Sequence, residues 1–290
     1  MVQSVAFLGL GAMGWRMAAH LPARFGDVRV WNRTAQKAVD HAAQYGTRAV
    51  SLAEAVQAEV IFSCLPTSAE VEALIAGCPP AAGRIWVDCT SGVPEAAQRL
   101  SATLARSGVA FLDAPVSGQT VGAEHGTLTV MVGGDPSALA RARVAIEPFA
   151  GLIQHVGGSG AGFAVKAVNN MMMAVNLWAA AEGCTVLKVH GVDLTAALAC
   201  INASSGQSVA SANLLPNRVL NRSFPCTFAL PLLAKDTGIA PALAQSAQVP
   251  TPVMAQVQSL YRAAAQQATP ADDFSTAIRW YEQWTGREIC

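Results

Sequence analysis

Charge is scarce in this chain. Only 13% of its 290 residues are Asp, Glu, Lys or Arg, and the acidic and basic side chains number 19 each, so the formal net charge is zero. A neutral chain carries no electrostatic footprint for nucleic acid or for an anionic membrane surface, and any affinity for an anion must be local. Paired cysteines are missing as well. Cys64, Cys78, Cys89, Cys184, Cys200, Cys226 and Cys290 are scattered with no CxxC spacing, which argues against a disulfide framework and a zinc site and fits a reducing compartment. No basic segment followed by a cleavable apolar one precedes the first apolar run at Val5. The most apolar stretch, Met171 to Leu187, is interrupted by Asn176 and Glu182 and reads as a buried helix, not a membrane span. The expectation is a soluble, cytoplasmic protein. The five histidines are dispersed without an HExxH spacing, and neither a GxSxG elbow nor a P-loop lysine occurs, so no metal is expected.

Apolar residues are plentiful, at 52%, enough to build the cores of one large domain or two ordinary ones. Strand-like runs at Val5 to Leu8, Val28 to Trp31, Val60 to Leu65, Ile85 to Cys89, Ala110 to Leu112 and Leu128 to Val132 alternate with amphipathic segments such as Leu52 to Ala58, Pro94 to Ser107 and Pro136 to Pro148. That alternation predicts a mainly parallel, doubly wound α/β sheet. Beyond the glycines at Gly157, Gly158, Gly160 and Gly162 the strand signals stop, and the remainder reads as helix broken at glycines and prolines. Two domains follow, 1–162 and 163–290, the second all-helical. The helix from Val165 to His190 has alanines and methionines on more than one face, which predicts burial nearly all round and passage into a partner subunit. Met171, Met172 and Met173 read as core filler, and the low charge points to a homodimer or homotetramer.

The string Gly9-Leu10-Gly11-Ala12-Met13-Gly14 follows the first strand and opens a helix. In that setting the first glycine permits a tight turn, the second lets a pyrophosphate approach the backbone, and the third lets the helix pack on the strand. The helix N-terminus, at Ala12 and Met13, then faces the anion. The second strand ends in Asn32-Arg33-Thr34, where an NAD site would place an acidic residue for the ribose hydroxyls. A guanidinium and a hydroxyl suit the extra phosphate of NADP instead.

Lys166 is the only charged residue between Ala150 and Asn176. A desolvated amine is pushed toward its neutral form, the state that a proton-transfer catalyst must be able to reach. Asn170 follows four residues later, on the same helix face.

Together these strings resemble the short 3-hydroxyacid dehydrogenases, which include 3-hydroxyisobutyrate dehydrogenase, tartronate semialdehyde reductase and glyoxylate or succinic semialdehyde reductases. The likeness covers the whole chain through GLGAMG at Gly9, Leu65-Pro66, DCTS at Asp88 to Ser91, DAPVSG at Asp113 to Gly118, the GxGxxxKxxNN string ending at Asn170, and Lys235-Asp236. It implies a Rossmann-like sheet followed by an all-helical domain, and a nicotinamide-dependent enzyme interconverting a short 3-hydroxy acid and its semialdehyde or oxo-acid, with NADP (NADPH in the reductive direction) expected from Asn32 and Arg33. Lys166 would be the general acid and base, with Asn170 orienting the amine or hydrogen-bonding the substrate. Ser117 and Gly118 would hold the substrate carboxylate. Leu65 and Pro66 would lie against the cofactor ribose, Ser91 by the nicotinamide, and Lys235 would reach the same end of the cofactor. Two positions depart from the pattern. Gln119 replaces the usual second glycine after Ser-Gly, which narrows or re-polarises the substrate pocket. Arg16 stands where a proline is usual, near the phosphate-binding helix terminus. An imine reductase of the same fold and a non-catalytic NADP-binding protein are the alternatives.

Overall fold

The computed structural model describes residues 2–289, so Cys290 lies outside the described residues. Among these residues one sheet runs through β1 (Ser4–Leu8), β2 (Asp27–Trp31), β3 (Arg48–Ala49), β4 (Val60–Ser63), β5 (Ile85–Asp88), β6 (Ala110–Asp113), β7 (Val116–Ser117), β8 (Leu128–Gly134) and β9 (Ala150–Gly157). The strand order is β3-β2-β1-β4-β5-β6-β8-β7, with β9 pairing β8. From β3 across to β6 every pairing is parallel, β8 runs antiparallel to β6 and β7, and β9 returns parallel to β8. The first strands leave β1 in opposite directions, β2 to one side and β4 to the other. In doubly wound sheets a crevice at such a switch point lies outside the carboxyl ends of the strands.

The central strands are short and apolar throughout because both faces of the sheet are covered. Side chains alternate between two cores: Val5, Phe7, Val28, Val30, Val60, Phe62, Ile85 and Val87 pack on one face, and Ala6, Leu8, Ile61, Trp86 and Phe111 on the other. The covering helices are α1 (Ala12–Ala19), α2 (Ala35–Tyr45), α3 (Leu52–Ala55), α4 (Ser68–Gly77), α5 (Pro94–Ala105), α6 (Gln119–His125) and α7 (Pro136–Ile146). Their ends follow local chemistry. A capping box of Ser51 and Glu54 starts α3, Pro94 opens α5, Asp135 caps α7 from its Ser137 N–H, and Gly46 closes α2 in the left-handed region.

Helix α8 (Ala161–Val189) is 29 residues long. It leads into α9 (Leu194–Asn202), a wide-turned helical segment at Ala210–Leu220 that contains Pro216, and α10 (Leu230–Asp236), α11 (Ile239–Ser246), α12 (Pro252–Ala265) and α13 (Ala277–Thr285). These helices share a separate core around Met171, Trp178, Leu214, Leu233, Tyr261 and Phe274. The two compact units divide between Lys166 and Ala167, inside α8 and four residues beyond the boundary expected from the glycines.

Within the single chain helix α8 is covered on one side: Val165, Val168, Met172, Val186 and Val189 are exposed, while Ala167, Met171, Ala174, Leu177, Trp178, Ala181 and Cys184 are buried. The buried residues recur every three or four positions, which is a one-sided stripe. Met172, 58% exposed, is accordingly not core filler. The strands β3, β7 and β9 and the short helix α6 are absent from the expected elements.

Candidate active site

The glycine-rich turn joins β1 to α1, and each glycine answers a different demand. Gly9 has φ +98°, and a Cβ there would lie 2.4 Å from the Cys64 carbonyl oxygen. A Cβ on Gly14 would lie 2.0 Å from the Gly9 carbonyl oxygen and 2.9 Å from the Phe7 ring. A Cβ on Gly11 would meet nothing within 4 Å. The outer two glycines are thus required by the protein's own packing. Gly11 leaves open space beside the start of α1, the place where a turn of this kind could receive a pyrophosphate. Asn32 holds the turn in place, accepting from Leu10 N at 2.9 Å and donating to Thr34 O at 3.1 Å. Its amide is therefore engaged in shaping the loop. Arg33 and Thr34 beside it are exposed.

Lys37 is also exposed, in the first turn of α2 and four residues after Arg33. That turn contains no acidic residue, although the helix dipole there favours one. A cation at this position suits an external anion, and the Arg33-to-Lys37 spacing is the signal that sequence reading passed over.

Strand ends β4 and β5 are braced by a chain of polar groups. Trp86 Nε1 donates to Ser63 Oγ at 2.8 Å, and Ser63 Oγ donates to Asp88 Oδ1 at 2.9 Å. Asp88 Oδ1 also accepts from Thr90 N at 3.1 Å, and Thr90 Oγ1 accepts from Leu65 N at 3.1 Å. Asp88 is fully buried among neutral partners, and burial pushes its carboxyl up to about 6. This network sets the backbone at Leu65, Pro66 and Ser91, of which Pro66 is exposed and the other two half-buried. The Asp of DCTS is thus a brace, which sequence reading had not assigned.

The start of α8 is clamped from four sides. Asp113, fully buried at the end of β6, accepts from Gly160 N at 2.8 Å through Oδ1 and from Phe163 N at 3.0 Å through Oδ2. Two otherwise unpaired N–H groups of the first turn are satisfied from another strand. Desolvation nevertheless holds the Asp113 carboxyl above the usual range. A Cβ on Gly162 would lie 2.4 Å from Met131 O and 2.5 Å from Asp113 O. One on Gly160, at φ +93°, would lie 2.9 Å from Pro94 O. One on Gly92 would lie 2.4 Å from the Phe163 ring. The glycines of the GxGxxxK string therefore let the helix start press against the backbone of β6, β8 and α5, with Phe163 seated on Gly92 next to Ser91. Lys166, half-buried, follows Phe163 by one turn.

Ser117 ends β7, paired with Thr129 of β8. Gly118 has φ +134° and Gln119 φ +57°. Helix α6, which Gln119 begins, rests on α1: His20 Nε2 donates to Ala123 O at 2.8 Å, and Arg16 Nε lies 3.6 Å from Glu124 Oε2. Arg16 also donates to Ala12 O at 2.8 Å. Arg16 is thus placed beside α6.

In the helical unit Asn170 is 3% exposed and donates to Asp236 Oδ2 at 2.8 Å. Lys235 Nζ lies 3.0 Å from Asp236 Oδ1. Asn169 donates to Asn170 Oδ1 at 3.3 Å. The buried Asp236 therefore organises both Asn170 and Lys235, a part that the Lys-Asp doublet alone did not disclose. Among the described residues no helix is long and apolar enough to cross a membrane, and no group of three or more His, Cys, Asp and Glu side chains is placed to hold a metal ion.

Known proteins similar to this chain match it over nearly its whole length. Residues 4–157 match the family described as the NAD binding domain of 6-phosphogluconate dehydrogenase. Residues 160–281 match the family described as the NAD-binding of NADP-dependent 3-hydroxyisobutyrate dehydrogenase. The chain is 34% identical to a Pseudomonas aeruginosa NAD-dependent L-serine dehydrogenase over 99% of this chain and 100% of that one. It is 33% identical to a 3-hydroxyisobutyrate dehydrogenase of the same organism over 96% and 98%. The solved structure of Mycobacterium tuberculosis 3-hydroxyisobutyrate dehydrogenase with L-serine superposes with a TM-score of 0.90 at 32% identity, covering 97% of this chain and 99% of that one. A dinucleotide turn, a clamped lysine helix and full-length relatives converge: the chain belongs to the NAD(P)-dependent 3-hydroxyacid dehydrogenase family.

Proposed function

We propose that this dehydrogenase prefers NADP and interconverts a short 3-hydroxy acid and its semialdehyde or oxo-acid, with Lys166 as the proton carrier. The observation that carries the reading is the clamp. Asp113 and three glycines fix the backbone one turn before the single amine of an otherwise uncharged stretch. Such fixed geometry is what proton transfer requires. The bound dinucleotide supplies the hydride. Lys166 Nζ delivers a proton to the substrate oxygen in reduction and takes it back in oxidation, and its positive charge stabilises the oxyanion as it develops. The Ser117 hydroxyl and the backbone N–H groups near Gly118 grip the substrate carboxylate. Asn170, oriented by Asp236, hydrogen-bonds the substrate or the amine, and Lys235 approaches the cofactor.

Preference for NADP is supported by Asn32 standing where a ribose-binding carboxylate belongs, and by the exposed cations Arg33 and Lys37 at that strand end. A full-length relative is named as NAD-dependent, so the cofactor is measured directly. Oxidation and reduction of short hydroxy and oxo acids are followed with NADPH and NADH. The expected result is turnover of one or more acids, faster with NADPH. Lys166→Ala lowers kcat by about a hundredfold or more with dinucleotide binding retained. Full activity of that variant refutes the assignment. Turnover of cyclic imines and no acid identifies an imine reductase, and binding without any turnover identifies a nucleotide-binding protein.

A further inference from the structure

Away from the glycine-rich turn, the opposite end of the sheet holds a recess of about 470 Å³, a size suited to a small molecule. It lies at the N-terminal ends of β4 and β5, where Val60 and Ile85 are partners in the parallel register. Helix α7 adds Arg141 and Val144, three residues apart and so on one helix face. Strands β4 and β5 are four residues long, about 13 Å at the usual rise, and Leu65 and Ser91 follow their other ends. The recess is therefore separate from the nucleotide end of the sheet, and its lining belongs wholly to the nucleotide-binding unit.

The described side chains that bring charge to the recess are Arg84, Arg141 and Glu59. Arg84 directly precedes β5, and its Nε is buried without a hydrogen-bond partner. A guanidinium does not shed its proton to escape that cost, as a buried lysine can, so its N–H calls for an acceptor. Arg141 Nη2 donates to Gly83 O at 2.9 Å, which anchors the second guanidinium to the residue before Arg84. Glu59 Oε2 accepts from Gln3 N at 3.2 Å, which engages one carboxylate oxygen with the backbone before β1. Two guanidiniums and one carboxylate leave a surplus of one positive charge. The backbone around them is fixed by the sheet, with Ile85 N donating to Glu59 O and Ala110 N to Arg84 O, both at 3.0 Å. One negative charge balances the surplus, whereas a second would meet Glu59. Val60, Ile85 and Val144 supply apolar surface that a short aliphatic chain covers and an inorganic anion does not.

We infer that this recess is a ligand site distinct from the proposed active site, and that it takes a small organic monoanion, a carboxylate on a short apolar chain. The carboxylate accepts from Arg84 Nε and from Arg141, and the chain lies on the valines and Ile85. The test is a fluorine NMR titration of the intact protein with a trifluoromethyl-tagged butyrate. The wild type shows a saturable component that Arg84→Gln and Arg141→Gln each weaken by about tenfold or more, and that Lys166→Ala leaves in place. Both arginine variants keep the wild-type affinity for NADPH, which reports an intact fold. Arg141 is exposed on α7, so its variant carries the test if Arg84→Gln does not fold. Succinate competes weakly in the wild type and better in Glu59→Gln. No saturable binding, binding wholly insensitive to both arginine substitutions, or displacement by inorganic phosphate at lower concentration than by butyrate overturns the inference. None of these outcomes touches the dehydrogenase reading, because no residue of the recess takes part in it.

Discussion

In the nucleotide-binding unit the buried carboxylates Asp88 and Asp113 meet hydroxyls and backbone N–H groups, whereas in the helical unit Asp236, Asp273 and Glu282 are each paired with a cation. Lys235 stands 3.0 Å from Asp236, Arg218 2.9 Å from Asp273, and Arg222 2.6 Å from Glu282. The two arrangements solve the desolvation of a carboxylate differently. Neutral donors orient the group without cancelling its charge, so burial raises the carboxyl of Asp88 and Asp113. A cation cancels the charge, and the cost appears only when one partner is removed. Proton concentration should therefore act on the sheet, and deletion of charge on the helices.

The largest effect expected from this contrast is that of Arg218→Ala. It leaves Asp273, which is fully buried, without its guanidinium, and should cost about 3–5 kcal/mol of stability, read from the shift in denaturant midpoint. A loss below 1 kcal/mol would show that the donors around Asp273 (the backbone N–H groups of Thr227, Phe228 and Ser275 and the Ser275 hydroxyl) suffice alone.

Next comes pH. The Asp88 carboxyl sits at about 6 in the folded chain against an ordinary 3.8. Below pH ~4 it is protonated in both states. Between ~4 and ~6 the folded chain keeps a proton that the unfolded chain has released, so this group's contribution falls as pH rises, by about 3 kcal/mol in all, and is level above that window. Asp88→Asn keeps an acceptor oxygen for Ser63 and Thr90 and should gain on the wild type across that range. Equal pH slopes for the two proteins, measured by denaturant unfolding at pH 4.5 and 7, would locate the proton elsewhere.

The smallest effect is kinetic. Asp236→Ala removes the acceptor that orients Asn170 and should lower kcat by about tenfold, a cost of about 1.4 kcal/mol in the transition state. An unchanged kcat would make the Asn170–Asp236 bond purely structural.

Much of the nucleotide-binding unit was legible in the sequence because parallel strands covered on both faces are short apolar runs, as β1, β4, β5, β6 and β8 are, while β2 alternates buried Val28 and Val30 with half-buried neighbours. Strand β9 escaped because Gly151, Leu152 and Gln154 are exposed and two of its eight residues are glycine. The two-residue strands β3 and β7 are too short for any period to register. At the site, the glycine string and the isolated Lys166 stood out as residue types. The braces did not. An aspartate closing an apolar run reads as the end of a strand, and only the fold shows Asp113 receiving two N–H groups from residues 47 and 50 positions away. The positive φ of Gln119 is likewise not written in the glutamine itself, and only the glycine usual at that position in the resembling family hinted at it.

Helix α8, at 29 residues, extends about 43 Å, and Lys166 sits five residues from the pinned end. The helix behaves as a lever with Lys166 beside the fulcrum. A tilt that carries the far tip by 1.5 Å, on the order of 2° for a rod of that length, displaces the backbone at Lys166 by only a few tenths of an ångström. A small tilt at the far end of α8 thus barely moves the backbone at Lys166, whereas a methyl group added at Gly160 or Gly162 would push on that backbone directly.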